Sequence, residues 1–114
     1  MKRRYQIVKL SDIDPVPCPC GTARRTFADI ADSPASVHLV TIKTNARIHY
    51  HKRQTEIYVV LEGSGHIELD SDSVPVEPMT AVLVRPDCRH RAVGNLTILN
   101  IVIPPFDPKD ECFD

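Results

Sequence analysis

The chain has 114 residues, a net charge of −1, 42% hydrophobic and 25% charged residues. That length suits one domain with one core, expected over 1–114, and the balanced charge gives no broad basic field for nucleic acid or an anionic membrane. The basic start Met1–Arg4 runs into Lys9, Asp12 and Asp14 with no apolar stretch between. The expectation is therefore no signal peptide, no spanning segment, a cytoplasmic location and reduced thiols.

Ten prolines and four glycines favour short strands and many turns. In chain order, the pattern predicts a strand near Gln6 to Leu10, then a proline-rich turn from Asp14 to Gly21. Extended chain follows from Arg25 to about Ile30, a turn at Ala31-Asp32-Ser33-Pro34, and a strand from Val37 to Lys43. Arg47 to His51 reads as a strand and Glu56 to Leu61 as the next. Gly63-Ser64-Gly65 reads as a hairpin turn into His66 to Leu69. After a turn at Asp70 to Ser73, strands are expected at Val74 to Val76, Ala81 to Val84, His90 to Val93 and Leu96 to Ile103. Pro104-Pro105 stops the last, and a polar tail wraps the surface. About nine or ten short strands mean an all-β sandwich or barrel.

One stretch carries chemistry. In His49-Tyr50-His51, alternation puts both imidazoles on one face about 7 Å apart, and Glu56 follows five residues later. Imidazoles and a carboxylate on one face suit a divalent metal, and His90 supplies a further donor. The joint pattern with Gly63 arises by chance about once in a thousand; the competing reading is a solvent-facing polar strand. By the same alternation Glu56, Tyr58 and Val60 face in while Ile57, Val59 and Leu61 face out. Tyr58 is either a general acid or a packed tyrosine. Arg47, two before His49, is expected to face in, as an internal ion pair or as an anchor for a substrate carboxylate. His38 and His66 have no spacing tied to the cluster and read as structural or surface residues. Cys18, Cys20 and Cys112 read as free thiols, with a second metal or redox role as the alternative. Cys88, two before His90, is a candidate for lining the pocket.

His49-x-His51-x4-Glu56-x6-Gly63 resembles the first motif of the cupins. The motif's leading glycine is Lys43 here. The second motif, glycine-x5-proline-x-glycine-x2-histidine-x3-asparagine, falls on Met79 through Gly94. It retains His90, whereas Met79, Arg85, Asp87 and Gly94 replace the glycine, proline, glycine and asparagine. Those positions shape turns more than they ligate. The resemblance, to small single-domain cupins, covers about 37–103. It implies a double-stranded β-helix (jelly-roll) barrel, a metal held by His49, His51, Glu56 and His90, and frequent homodimers. One divalent ion of Fe, Mn, Ni, Zn or Co is the expected cofactor. Three functions follow: a metal-dependent oxygenase or isomerase acting on a small anionic oxygenated molecule; a non-catalytic sugar or carboxylate binder or sensor; or a barrel with a vestigial site.

Overall fold

A computed structural model describes residues 3–43 and 46–114, so Met1 and Lys2 of the basic start lie outside the described residues. Seven strands are described: β1 (Val16–Cys18), β2 (Gly21–Thr26), β3 (Ser36–Ile42), β4 (Thr55–Leu69), β5 (Asp72–Val76), β6 (Ala81–Val84) and β7 (His90–Ile103). They pair antiparallel in the order β1-β2-β3-β7-β4-β5, with β6 along the first half of β4 on the same edge as β5, away from β7.

The count is lower than expected because two pairs of short strands are each continuous. Gly63-Ser64-Gly65 is not a hairpin: the chain runs straight through it inside β4. These glycines are there for space, since a Cβ on Gly63 would lie 1.9 Å from the Asn95 carbonyl oxygen of β7, and one on Gly65 2.1 Å from that of Val93. A bulge between Val60 and Glu62 bends β4 just before them. Likewise Val93 to Leu96 continues β7 without a break, with Gly94 at φ +119. The strands expected near Gln6 to Leu10 and Arg47 to His51 are absent. The first stretch ends in a short 3-10 turn at Leu10–Asp12, and the second contributes only single bridges at His49 and Tyr50. The extended chain expected from Arg25 lies earlier, as β2, and ends where Phe27 turns at φ +70.

Alternation along the first half of β4 sets the core. Glu56, Tyr58 and Val60 are buried, and Ile57, Val59 and Leu61 are not. Tyr58 and Val60 join Ile42, Ile67, Val76, Val84, Ala92, Leu96 and Ile98 in one cluster. Each such side chain removed from water contributes roughly 1.5–3 kcal/mol. Cys88 packs against this cluster rather than lining the cavity described below, because the turn at Asp87 (φ +72) breaks the strand parity assumed for it. Met79 is the other surprise of the second motif region, at φ +72. At both Met79 and Asp87 the backbone holds a left-handed turn although the glycine suited to it is gone.

The tail does more than wrap the surface. Tyr50 and Cys112 exchange both backbone hydrogen bonds, at 2.9 and 2.8 Å. Buried Asp110 accepts the N–H groups of Lys52, Arg53 and Gln54 at 2.9, 3.0 and 2.9 Å. The tail thus pins the irregular 46–54 segment over one end of the barrel. No helix among the described residues is long and apolar enough to cross a membrane.

Candidate metal centre and pocket

Four side chains converge from three parts of the chain. Glu56 comes from the start of β4, His90 from the start of β7, and His49 and His51 from the irregular segment between β3 and β4. Backbone bonds fix that segment: His49 and His90 exchange N–H to O=C bonds at 3.1 and 2.9 Å, and Asp87 N–H donates to the His51 carbonyl at 2.7 Å. One donor atom from each of His49, His51, Glu56 and His90 lies within 4.8 Å of all the others. The spacing His-x-His therefore brings the two rings together without a strand, at 5.2 Å between centroids.

The hydrogen bonds choose the tautomer. His51 Nδ1 lies 2.8 Å from the Asp110 carbonyl, His90 Nδ1 2.8 Å from the Cys88 carbonyl, and His49 Nδ1 3.2 Å from the Arg47 carbonyl. A carbonyl only accepts, so each Nδ1 carries the proton and each Nε2 of a neutral ring is a bare lone pair. The Gln54 amide nitrogen also lies 3.1 Å from His51 Nδ1. Because Gln54 Oε1 accepts from Asp107 N–H, that nitrogen is a donor competing for Nδ1, and the shorter contact to the Asp110 carbonyl, 2.8 against 3.1 Å, favours the proton on Nδ1.

The bare nitrogens face a carboxylate. His90 Nε2 and His51 Nε2 stand 2.9 and 3.0 Å from Glu56 Oε1. Two lone pairs opposite a carboxylate oxygen repel unless a cation lies among them. His51 Nε2 is buried and makes no well-directed hydrogen bond despite the short distance. This donor set of three imidazoles and one carboxylate fits a divalent first-row ion. Without one, protons take its place. Burial works against a charged His51, but the hydrogen bond and charge of Glu56 together with those of Asp110 outweigh it and raise the imidazole above its ordinary range. Burial also opposes ionisation of Glu56, and bonds from His51 and His90 outweigh it and hold the carboxyl well below the usual range. Asn100 Nδ2 donates to the other oxygen, Oε2. His49 goes the other way, down to about 4, through burial and then the positive potential of His90.

The cluster opens into a cavity of about 110 Å³. Its walls are largely apolar, including Val40, Ile42, Ala92 and Ile98. Tyr58 lines it from β4, with its ring 6.2 Å from that of His90. Burial, reinforced by the Glu56 charge, pushes its phenol well above the ordinary value. Arg47 does not face in. It is exposed, with its guanidinium 4.4 Å over the Phe113 ring and one nitrogen 3.3 Å from the Asp114 carbonyl. The alternation used to place it needs a strand, and none exists there.

Three residues to which the sequence reading gave no place in the site do line the cavity, among them His38, which it read as structural or surface. Arg25 enters from β2. His38, from β3, is buried, bonded through Nε2 to Ser36 Oγ at 2.8 Å and lowered to about 4, by burial and then by Arg25. Glu111, from the tail, stands 4.0 Å from His49 Nε2. Their positions on β2 and β3 follow inward parity, but the sequence offered no register linking those strands to the histidines. Cys18 and Cys20 form part of the rim with Sγ atoms 3.1 Å apart. The bond between them draws the Cys18 thiol down to about 6 and pushes Cys20 up.

The cupin domain family matches residues 38–101. The chain is a cupin. A crystal structure of a protein from Planctomyces limnophilus is 47% identical, covers 96% of each chain and superposes with a TM-score of 0.90. Pac13, described as a unique nucleoside dehydratase and also solved from Streptomyces with uridine, is 22% identical over 97% of this cupin and 89% of that chain, with a TM-score of 0.76. Ectoine synthase from P. lautus gives 20% identity, 90% and 80% coverage and a TM-score of 0.78. At those identities the last two establish the fold alone. Among curated sequences, Uncharacterized protein MJ1618 of Methanocaldococcus jannaschii is 30% identical over 76 residues, a match spanning 61% of that protein's length.

Proposed function

We propose that this cupin holds one divalent metal ion through His49, His51, His90 and Glu56, and acts with it on a small anionic oxygenated molecule as an oxygenase or isomerase. The observation that carries the reading is the shared tautomer: three Nδ1 atoms turned to backbone carbonyls, with the Nε2 atoms of His51 and His90 on one Glu56 oxygen and a His49 donor within 4.8 Å of the same group. Bound there, Fe, Mn, Ni, Zn or Co would supply a Lewis acid with open positions, or a redox centre.

The chain's own residues do the rest. Asn100 donates to one oxygen of Glu56 and so leaves the other facing the centre. The backbone carbonyls of Asp110 and Cys88 orient the rings. Tyr58, with its proton held firmly, donates to a ligand oxygen rather than accepting. The apolar walls exclude water and strengthen each of these contacts. The same apolar walls also suit a second reading, a binder that only retains a sugar or carboxylate. A homodimer, implied by the resemblance, and a cytoplasmic location belong to the same proposal.

Elemental analysis of protein purified without a metal-affinity tag tests it, beside a His49→Ala, His90→Ala double variant. About one equivalent of metal is expected in the wild type and none in the folded double variant. Equal metal in both, or none in either after supply of each candidate ion, refutes the assignment.

A further inference from the structure

Registers across the sheet align one residue from each of four strands. Arg25 of β2 pairs with His38 of β3, His38 with Asn100 of β7, and Asn100 with Tyr58 of β4. All four line the cavity. They form a polar row across an otherwise apolar inner face, and the row leads from Arg25 to the Glu56 end of the metal cluster.

Arg25 is the unexplained member. Its Nε is buried and makes no hydrogen bond. Its guanidinium carbon sits 4.4 Å over the Phe106 ring, which braces the planar group but satisfies none of its donors. No carboxylate among the described residues forms an ion pair with it. Its neighbour in the row, His38, is held neutral and already bonded to Ser36. A buried guanidinium donor without an acceptor costs free energy that an oxyanion would recover.

We propose that Arg25 is the carboxylate anchor of this pocket, so that its ligand is a small monocarboxylate carrying an oxygen function at its far end. The inference rests on the metal reading for that far end only. Geometry sets the shape: β2 and β4 are three strand spacings apart, about 14 Å along a flat sheet and less across a curved one. A ligand held at Arg25 must be elongated to reach the histidines. The planar fork of the guanidinium also matches a carboxylate in a two-point contact.

The test uses a matched pair, glutaramate and its neutral isostere glutaramide, titrated calorimetrically into zinc-loaded and metal-free protein. Inorganic phosphate is the third probe. In the wild type glutaramate is expected to bind at least about ten-fold tighter than glutaramide and phosphate, the value of one charge-assisted contact. Arg25→Gln should erase that preference while zinc content stays unchanged. Arg25→Lys, which keeps the charge and loses the fork, should retain part of it and guards against a folding defect in the first variant. Persistence of the preference in a folded Arg25→Gln protein, preference for phosphate, or no binding of glutaramate overturns the assignment. An Arg25-dependent preference in protein that holds no zinc upholds the anchor and refutes the metal reading alone.

Discussion

Replacing Asp110 by alanine should cost about 3 kcal/mol of stability. The carboxylate accepts three successive backbone N–H groups, those of Lys52, Arg53 and Gln54. Gln54 is 2% exposed, so its N–H loses its acceptor with no water to replace it, a penalty of about 2 kcal/mol. Lys52 and Arg53 are exposed, and water recovers most of their loss, leaving about 0.5 kcal/mol each. For a chain of this length the sum corresponds to a fall in Tm of roughly 12 °C. Asp110→Asn, which keeps one acceptor oxygen, should lose about half as much.

The effect has a pH signature. Burial opposes ionisation of Asp110, but the bonds from Gln54, Lys52 and Arg53 outweigh it and hold the carboxyl below its ordinary value. Its stabilisation is therefore fully present above the unfolded pKa of about 3.9 and is lost as pH falls through the lower folded value. The difference between wild type and alanine variant should shrink over that window. Glu56 titrates in the same direction in both proteins and cancels from the difference. Urea unfolding of metal-free protein from neutral pH to about pH 3 reads both quantities. A variant within about 1 kcal/mol of wild type at neutral pH, or a difference that does not change with pH, refutes the reasoning. Because the Asp110 carbonyl also orients His51, zinc affinity should fall about ten-fold in the variant if the tail is displaced.

Two further outcomes are expected. Alkylation of Cys18 by iodoacetamide should reach half its limiting rate near pH 6, because the bond from Cys20 favours the thiolate. Cys20→Ser should move that midpoint upward, and a midpoint near the ordinary thiol value of about 8.5 in the wild type would contradict the assignment. Met79→Gly should stabilise the protein by about 0.5–1 kcal/mol, since the exposed methionine pays for a left-handed backbone that glycine adopts freely. A lower urea midpoint in that variant would show that the methionine side chain matters in a way its exposure hides.

The barrel and the grouping of His49, His51 and Glu56 were legible because short-range patterns encode them, while His90, a candidate by residue type, was tied to them through the resemblance. Inward parity on β4 placed Glu56, Tyr58 and Val60 correctly, and His-x-His with a trailing glutamate marked the cluster. What failed was reasoning that needed the backbone to be regular. Arg47 was aimed inward by the alternation of a strand that does not form, and Cys88 by parity carried through a left-handed turn. Gly63-Ser64-Gly65 looked like a turn because glycine serves both turns and close strand contacts, and the presence of Asn95 against Gly63 is a tertiary fact. The places of Arg25, His38 and Asp110 were not legible for the same reason: each is set by a strand register or a tail contact that local pattern does not contain.

The pairing of β4 with β7 places Glu56 opposite Val102 and Leu69 opposite His90, so Glu56 and His90 sit at opposite ends of one long ribbon. Those ends are roughly 40 Å apart along the strand, yet the two side chains meet at 2.9 Å. The ribbon has curled through a full circuit, and the donor cluster is its seam. Half-folded chains with every strand paired but the ribbon still open would carry all four donors and no site. Acquisition of an ion would then report circularisation of the ribbon, the slow long-range step of such a topology, and an ion once seated would act as a rivet against its reopening.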